Sequence, residues 1–147
     1  MTPPARRWPR GDEGVSALEA VILAPALLAM LALAIVVMRV EVARQAVESA
    51  VHDGARAASI EDSGDVAARA ADATVKARLV PSHLCRTLDV AVDTAGFAVP
   101  VGQPATVSVT VTCVADFSDV AIPGMPGSTT ITETFVSALD QYRVRSP

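Results

Sequence analysis

The stretch GVSALEAVILAPALLAMLALAIVVM, Gly14 to Met38, decides how the rest of the chain is read. From Ala20 to Met38 it carries no charge. About 19 helical residues at roughly 1.5 Å each span about 28 Å, close to the hydrocarbon thickness of a bilayer. Glu19 stands at the entrance of this run. Pro25 lies within it, and Pro25 and Gly54 are the two positions where a helix through this region would bend or loosen.

Upstream, MTPPARRWPRGDE combines prolines, arginines and two acids without an apolar period, which predicts a short disordered leader. Arg6, Arg7 and Arg10 favour a cytoplasmic N-terminus, although Arg39, Arg44 and Arg56 follow the apolar run and nearly balance them. Downstream the helical pattern continues. Val40, Ala43, Val47, Ala50, Val51, Gly54 and Ala58 recur at steps of three and four, so the spanning helix is expected to extend as an amphipathic stalk to about Ser59.

The EDSGD segment, Glu61 to Asp65, reads as a turn, with Ser63 or Asp65 as a cap for a second helix over Val66 to Leu79 that Pro81 halts. Two helices joined by so short a turn should fold back antiparallel, with Val66, Ala70, Ala73 and Ala77 as the matching face. After Cys85 the period changes to two. Leu88, Val90 and Val92 alternate with polar or small residues, as do Val107, Val109, Val111 and Cys113, and Thr129 to Ser137 is a third β-branched run. Gly96, PVGQP at Pro100 to Pro104, and IPGMPG at Ile122 to Gly127 mark the turns. IPGMPG is also a plausible contact surface.

The expected fold is therefore α+β: a long N-terminal transmembrane and amphipathic helix, a second packed helix, and a small antiparallel sheet of three to four strands. In segments, the chain divides into a leader (1–14), a transmembrane helix (15–38), an amphipathic stalk with the second helix (39–80), and an extracytoplasmic β-rich region (81–147).

Composition narrows the function classes. The chain of 147 residues has room for one modest domain beside the helix, aromatic residues make up only 3%, and the net charge of −4 leaves no broad basic surface for nucleic acid. Cys85 and Cys113 both follow the apolar run. In an oxidising compartment they would form one disulfide closing a loop of about 29 residues; the alternative is two buried reduced thiols. No second thiol lies near either one, which argues against a redox or zinc pair.

His52 and His83 are the only histidines, and no HExxH, GxSxG or phosphate-loop motif occurs. Neither an enzyme nor a metal or cofactor site is expected. Asp53 beside His52 reads as a solvated pair, and Arg44 with Glu48 as an ordinary helical i,i+4 pair. Glu19 differs, because a carboxylate at the mouth of a spanning helix calls for a positive partner or for hydration at the headgroups.

The order of a short charged leader, Gly14, then Val15, Ser16, Ala17 and Leu18, then Glu19 and an apolar run containing Pro25 resembles the class III signal of type IV prepilins. Among these it is similar to the TadE-like family of tight-adherence (Flp) pilus proteins, together with ARQAVESAVHDGARAAS at Ala43 to Ser59 and the ending ALDQYR at Ala138 to Arg143.

That resemblance implies a minor pilin or pseudopilin of a type IVb-like pilus. A prepilin peptidase would cut after Gly14 and leave Val15 as the new N-terminus, and Glu19 would pair with the free amine of a neighbouring subunit during assembly. Implied partners are that peptidase, the inner-membrane pilus assembly machinery, other pilins or pseudopilins, and membrane lipid. The implied location is the cell membrane, single-pass, with the N-terminus cytoplasmic and the C-terminal domain extracytoplasmic. By the same resemblance the shaft subunits are much shorter, which argues against a shaft role. Two other readings stay open: an anchored extracytoplasmic interaction protein that never polymerises, and a secreted protein whose leader is removed at the small-x-small site Ala32-Leu33-Ala34.

Overall fold

A computed structural model describes residues 13–117 and 127–146, with side chains from Val21 onward. The element order is α1 (Glu13–Ser59), α2 (Gly64–Leu79), β1 (Cys85–Asp93), a 3₁₀ turn (Ala95–Ala98), β2 (Thr106–Asp116) and β3 (Ser128–Ala138). The fold is α+β, with a three-stranded antiparallel sheet in the order β1-β2-β3. The chain divides after Ile35 into two compact units, Met1–Ile35 and Val36–Pro147, and α1 contributes to both.

In the second unit the stripe on α1 meets the sheet. Ala43, Val47, Ala50, Val51, Ala55 and Ala58 are buried, matching the three-and-four spacing of the sequence. On β2, Val107, Val109, Val111, Cys113 and Ala115 are all inaccessible, while the intervening residues reach the surface. This central strand is paired on both edges, so its inward row forms the floor of the core. Gly54 makes the close packing possible. A methyl group there would stand 2.8 Å from Val75 Cγ2 on α2 and 3.8 Å from Val109 Cγ1 on β2, so the missing side chain lets α1 touch both at once.

The buried face of α2 is Gly64, Ala67, Ala71, Val75 and Leu79. This corrects the expected face: Val66, Ala73 and Ala77 are exposed and Ala70 is half-buried. In a helix so rich in alanine, two adjacent stripes differ by few methyl groups, and the large residues Val75 and Leu79 decide between them. The helix also starts earlier than expected. Ser63 occupies the N-cap position but makes no side-chain capping bond, and neither does Asp65 supply one. Instead the Gly64 amide donates to the Ser146 carbonyl at 3.0 Å, and the Ser146 amide donates to the Asp62 carbonyl at 3.0 Å. The C-terminal tail thus satisfies a group that the start of a helix leaves without an internal acceptor.

Gly96 marks more than a turn. It lies in the 3₁₀ segment AGFA, which drives Phe97 to 1% exposure in the core, and the Asp93 carboxylate accepts the Ala95 amide at the start of that segment. The tail after β3 is equally built in. The Leu139 amide donates to the Ala105 carbonyl, Gly102 to Gln141, and Arg143 reaches both the Ile60 carbonyl and Asp62.

Cys85 and Cys113 are joined by a disulfide, with their Cα atoms 5.3 Å apart across the β1–β2 pair. Cys113 belongs to the buried row of β2, so the bridge fastens the start of β1 beneath the helical layer. Replacing the pair, Cys85→Ser with Cys113→Ala, is expected to lower stability by about 3 kcal/mol, chiefly by freeing the unfolded chain. A reduced urea midpoint checks this, and an unchanged midpoint would contradict it.

Candidate functional site

From Val21 onward the first unit presents one continuous apolar helical surface. Val21, Ile22 and Leu23 are all exposed, as are Leu27, Leu28, Met30, Leu31 and Leu33. Successive helical residues point about 100° apart, so three consecutive apolar side chains leave no polar face. Within α1 the apolar window is long enough to cross a membrane, and none of it is buried by protein. Such a surface is compatible with a single-pass membrane anchor.

Gly14, Val15 and Glu19 fall on α1, but their side chains lie outside the described residues. So do residues 1–12 of the leader and Ile122 to Pro126 of the IPGMPG run. Helix α1 is assigned without interruption through Pro25 and Gly54. Proline cannot donate a backbone hydrogen bond, so the carbonyl one turn earlier, at Val21, has no amide at position 25 to accept from.

Several described polar groups of the second unit link its elements. Asp53 accepts Arg78 at 2.8 Å, tying α1 to α2, and the His52 ring stands edge-on to Phe135 with centroids 4.4 Å apart. The adjacent His-Asp pair therefore looks in two directions and has no shared reacting position. Arg44 corrects the expected helical pair: its Nε lies 3.5 Å from Glu133 on β3 rather than against Glu48. These bridges are substantially exposed and each contributes at most about 1 kcal/mol. Among the described residues no group of three or more His, Cys, Asp or Glu side chains gathers in a metal-binding arrangement.

The outer face of the sheet is rich in threonine. The Thr110 and Thr134 hydroxyls lie 2.9 Å apart, and Thr112 and Thr132 3.4 Å apart, as cross-strand partners in register. Such pairs stabilise the sheet by tenths of a kcal/mol and offer no chemistry of their own. A groove of about 550 Å³ in the same unit is lined by Met38, Arg39, Val42, His83, Leu84, Asp116 and Phe117. Sequence reading did not bring these residues together, since they come from α1, the loop after α2 and the end of β2. Among the described residues the outstanding surface is the exposed apolar face of α1, at whose start Gly14 to Glu19 lie.

Residues 14–56 match the family described as TadE-like protein. The match begins at Gly14 and ends three residues before the end of α1, so it lies wholly within that helix. No curated protein and no solved structure matches the chain.

Proposed function

We propose, from the premise that residues 14–56 are TadE-like and relate this chain to the tight-adherence pilus, that it acts as a minor pilin or pseudopilin. The observation that supports this reading most is the division of labour along α1. Its first part is apolar on every side, and its second part buries a narrow stripe against a disulfide-bonded sheet. One helix thus meets lipid and then carries a folded domain.

The proposed sequence of events starts with insertion, N-terminus in the cytoplasm and the Val36–Pro147 unit outside, where an oxidising environment favours the Cys85–Cys113 bond. A prepilin peptidase cuts after Gly14, and Val15 becomes the first residue. Glu19 then accepts the free amine of a neighbouring pilin or pseudopilin, so that both charges are neutralised as the helices leave lipid for the assembly. The partners are that peptidase, the inner-membrane assembly machinery and other pilus subunits, and the role is structural rather than enzymatic.

Deleting the coding gene is expected to reduce surface pili at least tenfold, measured by electron microscopy and by the sheared surface fraction, with recovery on re-expression. Normal piliation in the deletion strain would contradict the proposal.

One observation favours a second reading. The unit boundary falls between Ile35 and Val36, one residue beyond the end of the small-x-small site Ala32-Leu33-Ala34. Ordinary signal peptidase cutting there would release a product of residues 35–147, the second unit preceded by Ile35.

A further inference from the structure

We propose that the groove lined by Met38, Arg39, Val42, His83, Leu84, Asp116 and Phe117 is the membrane-facing surface of the folded unit and rests on phospholipid headgroups. The inference rests on the membrane-anchored reading of α1. All seven residues belong to the Val36–Pro147 unit. Met38 is also the last residue of the uncharged run, so the hydrocarbon boundary falls beside it. Val42 lies one helical turn further, about 6 Å along the axis. A headgroup layer is about 5–8 Å deep on each side of the hydrocarbon, so a groove walled by Met38 and Val42 opens within that layer.

The composition of the walls fits this depth. Met38 and Val42, four residues apart on one helix face, are 69% and 54% exposed. Leu84 is half-buried, and the rim has charges of both signs, with Arg86 3.9 Å from Asp116. Apolar side chains flanked by arginine and aspartate match an interface where acyl chains give way to phosphate and amine groups. His83, with a φ of 52°, turns the chain after α2 and brings Leu84 to the groove. The loop between α2 and β1 and the end of β2 therefore form a foot that fixes the height of the domain above the bilayer.

The test uses the full chain with its single tryptophan removed, Trp8→Phe, in vesicles of phosphatidylcholine and phosphatidylglycerol whose acyl chains are brominated close to the headgroup. Tryptophan is introduced singly as Leu84→Trp, Val42→Trp, Leu28→Trp in the apolar run, or Val144→Trp in the exposed tail. The proposal expects emission from Leu84→Trp and Val42→Trp to shift blue and to be quenched by the brominated lipid, as Leu28→Trp is, while Val144→Trp keeps its emission. An intact Cys85–Cys113 bridge in unreduced mass spectra checks that each variant has folded. Quenching of Leu28→Trp without quenching at Leu84 and Val42 would overturn the proposal and leave the anchor standing, as would burial of those two positions by a partner protein. Absence of quenching at Leu28 would overturn the anchored reading and the proposal with it.

Discussion

Gly96→Ala is expected to destabilise the folded unit by about 3 kcal/mol or more, a large effect for the addition of one methyl group. The new Cβ would stand 2.1 Å from the Thr106 carbonyl oxygen and close to 3 Å from the Thr106 carbonyl carbon and amide nitrogen. These are backbone atoms at the start of β2, and Thr106 is paired with Ala138 on β3, so they cannot swing aside as a side chain would. Relief must come from the 3₁₀ segment, which would draw Phe97 out of the core, and loss of a buried phenylalanine contact costs about 3–5 kcal/mol.

Gly102→Ala is the matching comparison. Its φ of 90° disfavours a side chain, but nothing lies within 4 Å, so its cost is only the conformational one, about 1 kcal/mol. Thermal unfolding followed by circular dichroism should rank the wild type above Gly102→Ala and both well above Gly96→Ala. A Gly96→Ala protein as stable as the wild type would contradict the described packing of the 3₁₀ segment on β2.

The second large effect concerns Glu19. A carboxylate costs about 2.5–3.5 kcal/mol at the centre of a spanning helix on insertion scales and less at its entrance, so Glu19→Ala should enter the membrane at least as readily as the wild type. Assembly should respond in the opposite sense. Removing one partner of a buried ion pair leaves the other charge uncompensated at a cost of about 3–5 kcal/mol, which corresponds to more than tenfold in an equilibrium. The expected result is an unchanged amount of protein in the membrane fraction and at least a tenfold fall in the sheared pilus fraction. Glu19→Asp should recover part of the loss. Equal loss from both fractions would instead assign Glu19 to stability or insertion, and equal recovery of Glu19→Ala in pili would remove its proposed role.

The parts of this fold that were legible in the sequence are those with strong contrast between neighbouring positions. The stripe from Ala43 to Ala58 is set off by Arg44, Glu48, His52 and Arg56, and the buried row Val107 to Cys113 alternates with threonine and serine. Contrast fails in α2, where alanine occupies both stripes and the inward face lies one to two positions beyond the expected one. It fails again wherever a polar backbone contact is long-range. Nothing local announces that Ser146 will accept the Gly64 amide, or that Arg44 will turn to Glu133 on β3 instead of Glu48 on its own helix. Phe97 was hidden for a similar reason, because a lone aromatic in a short loop has no period to reveal burial. The candidate processing and assembly residues, Gly14, Val15 and Glu19, were read by resemblance to prepilins, and the family match over residues 14–56 covers the same segment.

The central claim is that this segment is a prepilin signal whose helix stays with the protein. Its most direct test is the N-terminal residue of the membrane-associated protein, determined in cells with an active prepilin peptidase and in cells lacking it. Processing after Gly14 predicts Val15 in the first case and its disappearance in the second. Met1 in both would leave an uncleaved anchor, Ile35 in both would indicate ordinary signal peptidase, and either result would contradict the account.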